Sequence, residues 1–242
     1  MISCILVFYL AVAGAPGRAQ AVNGPDALYA AREHIDSARR AADIWAERLQ
    51  ANPRDFDAAW KLARARYWLG GRGAQRERRL ALEAGIAAAR AAIAVNPARP
   101  EGHFWLAANM GALAESFGVR QGLKYRTDIR EHLLAVLRLQ PAYEQGSADR
   151  ALGRWYARVP ALFGGNRRKA EDHLRRSLEY NPDSIASRFF LAELLLDSDR
   201  RTEAITELQK VLAAEPHPDW IPEDREFQGK AHRLLTTLRQ KR

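Results

Sequence analysis

Residues 188–216 read RFFLAELLLDSDRRTEAITELQKVLAAEP. Leu191-Ala192 and Leu195, then Ala204, Leu208 and Val211, recur at three- and four-residue steps, which line one face of each of two successive helices. Small residues where the helices cross let them approach, and large ones fill the remaining gap, so the stretch specifies a helical hairpin. Pro216 ends it, because proline lacks the N–H that a helix needs and its ring clashes with the preceding turn. Pro182 lies 34 residues earlier, which makes the hairpin one period of a repeat.

The same grammar runs upstream. Helix-ending pairs stand at Asn52-Pro53, Asn96-Pro97, Gln140-Pro141 and Asn181-Pro182, spaced 44, 44 and 41 residues apart before the final 34. They divide the chain into units of about 55–97, 98–141, 142–182 and 183–216. In the first, Trp60, Ala63, Arg64 and Tyr67 mark the front helix and Gly85, Ala89 and Ala92 the back helix. The second uses His103, Leu106-Ala107 and Met110, then Ile129, Leu133 and Val136; the third uses Leu152-Gly153 and Tyr156, then Ala170, Leu174 and Ser177. Pro25 to Ala51 reads as one long capping helix, and Glu223 to Arg239, with Phe227, Ala231, Leu234, Leu235 and Leu238 on one stripe, as the cap at the other end. Alanine, leucine, arginine and glutamate dominate and β-branched residues are sparse, which favours helix. The expected fold is all-α: a right-handed superhelix of about four hairpins with a capping helix at each end, forming one domain over residues 22–242.

Residues 1–21 stand apart. Ile2 to Ala13 is an apolar run too short to span a bilayer, followed by Gly14, Pro16 and the small-residue triplet Ala19-Gln20-Ala21. That order is the order of a signal peptide, with cleavage before Val22 and a periplasmic or secreted product. Cys4 lies inside the leader, so the processed chain has no thiol and no lipid-anchoring cysteine. The remainder contains no apolar run of transmembrane length. Lys and Arg number 38 against 29 Asp and Glu, a formal net charge of +9, which attracts acidic partners or anionic headgroups; nucleic acid is not the expected partner of an exported protein.

Catalytic and cofactor motifs are missing from the sequence. His34, His103, His132, His173, His217 and His232 are scattered, with no i, i+4 pair of the kind that holds zinc, and His103 reads as a packed, hydrogen-bonded core residue. Gly70-Gly71-Arg72-Gly73 and Gly164-Gly165-Asn166 lack the Lys-Ser/Thr of a phosphate loop and read as turns at positive φ, with Asn166 capping the next helix. The expectation is a protein that is not an enzyme and carries no cofactor or metal.

Binding is the alternative use of such a surface, because stacked front helices line a concave groove. Counting from the repeat anchors, its exposed inner positions are Lys61, Trp68, Glu101, Phe104, Arg150, Arg154, Arg158, Phe189 and Glu193. Aromatic and arginine side chains together suit an acidic peptide. Arg150, Arg154 and Arg158 share one helix face and repel each other unless acidic neighbours or a ligand intervene. A second candidate surface is the edge where the longer units place their extra residues, around 70–80, 117–125 and 157–166. It carries Arg72, Arg76, Arg78, Arg79, Arg120, Lys124, Arg126, Arg158, Arg167 and Arg168.

The repeat offsets resemble the tetratricopeptide pattern. Two stretches resemble a narrower family: Trp60-Lys61-Leu62-Ala63-Arg64-Ala65 with His103-Phe104-Trp105-Leu106-Ala107-Ala108-Asn109, and Leu152-Gly153-Arg154-Trp155-Tyr156 with Val159-Pro160, Leu162-Phe163-Gly164-Gly165 and Lys169-Ala170. They are similar to the regulator-of-microtubule-dynamics proteins and their bacterial relatives, and also to the periplasmic T component of TRAP-type transporters. The resemblance runs over roughly Trp45 to Leu238, while the repeats, the groove composition and the missing catalytic motifs point to a scaffold that binds a protein or peptide. The transporter likeness implies, alternatively, a periplasmic carrier or accessory protein for a small or lipidic ligand. The oligomeric state is left open by both.

Overall fold

The computed structural model describes residues 24–240; the leader and its cleavage site lie outside them. Eleven α-helices and two short 3-10 turns make up the regular structure among the described residues. Helices α1 (Pro25–Ala30) and α2 (Ile35–Ala51) precede four antiparallel hairpins. These are α3 (Phe56–Gly70) with α4 (Gln75–Val95), α5 (Pro100–Phe117) with α6 (Val119–Leu139), α7 (Ser147–Arg158) with α8 (Arg167–Tyr180), and α9 (Ile185–Leu196) with α10 (Arg201–Ala213). Helix α11 (Ile221–Gln240) packs on α9 and α10. The result is the all-helical superhelical stack expected, with one continuous core running through every hairpin.

The Asn-Pro pairs have a local cause. Asn52, Asn96 and Asn181 each cap a helix C-terminus, and each side-chain Oδ1 accepts the backbone N–H two residues on, from Arg54, Ala98 and Asp183 at 3.0–3.1 Å. An asparagine carbonyl thus replaces the hydrogen bond that the proline cannot donate. Gln140 caps α6, and here the chain instead turns through Glu144, Gln145 and Gly146, all at positive φ.

Three expectations need correction. The single helix over 25–51 is broken at Ala31–His34, because Arg32 turns inward and is 4 % exposed; its carbonyl accepts from Trp68 Nε1 and its guanidinium reaches α11. The extra residues of the first two units are not loops: they lengthen α4 and α6 to 21 residues each. Only Gly118, at φ 83°, separates α5 from α6, a one-residue turn that an L side chain rarely makes. In the third unit a true loop remains, with a 3-10 turn at Ala161–Phe163, Gly164 at φ 105° and Asn166 Oδ1 capping Lys169 N. Gly70, Gly71 and Gly73 are not at positive φ; a Cβ on Gly70 would meet Leu82 at 2.5 Å, so that glycine serves helix packing.

The two ends of the stack meet across the concave side. Arg32 pairs with Glu223 of α11 and also donates to the Asp219 carbonyl, Arg72 pairs with Glu226, and Arg225 with Glu33. Helix α1 lies along α3, where Asp26 holds Lys61 at 2.8 Å and Tyr29 underlies Arg64.

Candidate functional site

The concave face is built from α3, α5, α7 and α9, and its middle is a charge ladder. Arg154 on α7 donates Nε and Nη2 to Glu115 on α5, at 2.6 and 3.1 Å, and Nη1 to Glu193 on α9 at 3.4 Å. Glu115, Arg154 and Glu193 are 39 residues apart in each step, one rung per front helix. Burial alone would lower the Arg154 pKa, but the hydrogen bonds and charge of Glu115, with Glu193 behind them, raise it. The guanidinium also lies over the Phe190 ring at 4.3 Å. Acidic neighbours therefore answer the repulsion expected of Arg154.

Arg158 is about half exposed and makes only a 3.4 Å contact with Glu193. The hollow between Arg154, Arg158, Phe190 and Glu193 has about 10 Å³ of free volume, room for one water at most. A larger hollow of about 210 Å³, open to solvent, is lined by Leu191 and Leu195 together with Arg175, Glu203, Thr206 and Glu207.

Arg150 differs from its helix neighbours. Its side chain has no hydrogen bond or ion pair among the described residues, and burial lowers its pKa, opposed by the charges of Glu144, Tyr67 and Asp224. Tyr67 faces the same space with 39 % of its surface open. Burial raises the pKa of Glu144, opposed by Arg64 and Arg150, and raises that of Asp224, whose Oδ2 accepts from His217 N at 2.9 Å. The charges of Glu144 and Asp224 offset part of the burial of Arg150, but neither carboxylate forms an ion pair with it within 4 Å.

The structure thus gathers Arg150, Arg154, Arg158 and Glu193 on one surface and withdraws the other predicted groove positions. Trp68 is 3 % exposed, under Arg72 and bonded to the Arg32 carbonyl; Phe104 packs edge-on against Trp105 and Tyr143; Phe189 packs against Phe227 of α11. None of the three is an exposed inner position, because α1, the turn after α6 and α11 cover them. Lys61 is held by Asp26, and Glu101 pairs with Arg99 at the start of α5, away from the ladder. Tyr67, Glu115 and Phe190 complete the surface. The equal 39-residue spacing of the ladder is a mark the sequence carries; the openness of Tyr67 is not, since its helical offset also suits a core position.

His103 is hydrogen-bonded as expected, but half-buried: its Nδ1 lies 2.8 Å from Nδ1 of His132 and its Nε2 3.0 Å from the Pro97 carbonyl. Among the described residues no group of three His, Cys, Asp or Glu side chains comes together to hold a metal, and no helix is long and apolar enough to cross a membrane.

Paired antiparallel helices, stacked with small residues at the crossings and a concave charged face, define a tetratricopeptide-repeat protein, a fold of protein-interaction scaffolds. Residues 25–239 match the family described as regulator of microtubule dynamics protein 1-3, and the chain belongs to that family. Among solved structures it is similar to TTC0263, a thermophilic TPR protein of Thermus thermophilus, with TM-score 0.65 and 24% identity over 88% of this chain and 95% of that one. It is also similar to MamA, with TM-score 0.50 and 14% identity over 82% of this chain and 95% of that one. At these identities the likeness is one of fold. No curated protein sequence matches. The resemblance to a transporter T component is not what these matches support.

Proposed function

We propose that this chain is an exported, non-enzymatic scaffold that holds an acidic peptide segment of a partner protein in its concave groove, with Arg150 as the anchor. The carrying observation is that Arg150 stands unpaired beside the open ring of Tyr67 while Arg154, one turn away, is fully engaged. Desolvating a guanidinium without a counter-charge is unfavourable, and a carboxylate from outside would supply two matched acceptors. Tyr67 adds an apolar face and a hydroxyl beside it, and Arg158 adds a second, looser cation. A periplasmic or secreted location is part of the proposal and rests on the leader.

The test is photo-crosslinking in the native cell envelope, with the photoreactive residue at Tyr67 in the groove or at Leu212, which is exposed on α10. A protein adduct formed from position 67, absent from position 212 and lost on Arg150→Glu, is the expected result. Adducts that ignore Arg150→Glu move the site elsewhere. A small molecule or lipid as the sole adduct replaces the scaffold reading with the carrier.

A further inference from the structure

Three helix N-termini share one edge of the stack: those of α4, α6 and α8, each beginning where a front helix hands over to its back helix. Helix N-termini carry partial positive charge and favour acidic side chains. Here α6 and α8 have no acidic residue in the first turn, α4 has Glu77 alone, and the exposed cations around the three ends are Arg76, Arg120, Lys124, Arg167, Arg168 and Lys169. None of these six has a carboxylate partner within 4 Å among the described residues. On the concave side, by contrast, Arg32, Arg72 and Arg154 are each paired with a glutamate, Arg150 being the exception. The edge therefore keeps uncompensated cations where helix electrostatics disfavour them.

Apolar side chains stand out from the same edge. Leu162, in the 3-10 turn, is 87 % exposed, Leu80 on α4 is 58 % exposed, and Phe163 is partly open. The edge is contiguous: Arg79 covers Phe117 at the end of α5, and Arg126 on α6 reaches over Phe163 while its carbonyl accepts from Trp155 Nε1. An apolar tip ringed by unpaired cations matches the boundary of an anionic bilayer, where headgroup phosphates meet acyl chains. A nucleic acid would use the cations and leave Leu162 idle.

We propose that this edge docks the protein on an anionic membrane surface, with Leu162 inserted at the headgroup boundary and the cations at the N-termini of α4, α6 and α8 on lipid phosphates. The docking is independent of the groove: it would place the concave face beside a membrane whether or not a peptide occupies it.

Co-sedimentation of the full chain with vesicles tests it, comparing phosphatidylcholine alone with a mixture about one-third phosphatidylglycerol. Because the apolar leader can itself enter a bilayer, the readout is the difference between parent and variants on the same vesicles. Expected is preferential binding to the anionic vesicles, weakened by salt. Arg167→Glu/Arg168→Glu should lower it roughly tenfold or more and Leu162→Asp several-fold, while Arg167→Lys/Arg168→Lys retains it. All of these positions are exposed, and circular dichroism verifies that the variants fold. Equal binding to neutral vesicles, or variants that bind like the parent, overturns the proposal. So does equal affinity for a DNA duplex with no effect of Leu162→Asp, which would make the edge a general polyanion surface.

Discussion

Arg32 and Glu223, 191 residues apart, share two parallel hydrogen bonds, Nε to Oε1 at 3.0 Å and Nη2 to Oε2 at 2.6 Å. The guanidinium is almost fully enclosed, lying against the rings of Tyr29 and Trp68. Burial alone would lower its pKa, and the hydrogen bonds and charge of Glu223 outweigh that and raise it. The pair joins the first helices to the last, a contact made across the concave side rather than along the stack.

Arg32→Ala should therefore lower stability by about 2 kcal/mol, since it strands a partly buried carboxylate. Hydrogen exchange should quicken at α1 and at the first turn of α11 together, while α5 and α6 keep their protection. Arg32→Lys should recover only part of the loss, because a single ammonium cannot make the paired bonds. If α11 exchanged unchanged while α1 loosened, the two ends would not be coupled.

Gly85 faces Asn109 so closely that an added Cβ would come within 2.1 Å of Oδ1 and 2.6 Å of Cγ. Asn109 is fully buried and cannot retreat, because its Nδ2 donates to the Ala63 and Trp105 carbonyls at 3.0 and 2.8 Å. Gly85→Ala should cost about 2 kcal/mol despite its better helix propensity. Denaturant titration would read this directly, and a stabilised variant would mean that α4 and α5 shift apart easily.

The histidine pair makes stability depend on pH. The Pro97 carbonyl can only accept, so neutral His103 carries its proton on Nε2 and its Nδ1 accepts from Nδ1–H of His132. One extra proton can be shared in this arrangement, but a second breaks the bond. The pKa of His132 is lowered from 6.5 by burial and by His103, with Arg90 adding to the effect and Asp128 and Glu131 opposing it. With the folded pKa below the unfolded one, the stability is present above 6.5 and is lost as the pH falls through the folded value. Denaturation midpoints should decline below that pH, and His132→Asn should flatten the decline; equal slopes in parent and variant would remove the pair as the cause.

The repeats are legible in the sequence because helix packing is local: small residues at crossings and Asn-Pro at helix ends leave marks at fixed offsets. The length of α4 and α6 is not, because glycine near 70–73 and at 118 signals a turn without saying how short it is, and the arginine-rich residues after it are good helix formers. The groove is half legible. Counting along front helices finds Arg150, Arg154, Arg158 and Glu193, but cannot show that α1 and α11 fold back over Trp68 and Phe189. Such coverage depends on contacts between residues as far apart as Arg32 and Glu223, for which no periodicity exists.

Arg150 offers a way to separate binding from folding. If it is retained for a partner and not for the fold, its removal should stabilise the free protein, because a partly buried charge with no ion pair is relieved. Arg150→Met keeps the aliphatic stem and should raise stability by about 1 kcal/mol, or roughly 2–4 °C in melting temperature for a chain of this size. The same substitution should abolish the position-67 crosslink to the partner. Arg154→Met should do the reverse and destabilise, since it strands Glu115 and removes the rung joining α5 to α7. Calorimetry on the two variants is decisive: a destabilised Arg150→Met would show that the residue supports the fold and would remove the observation on which the groove assignment rests.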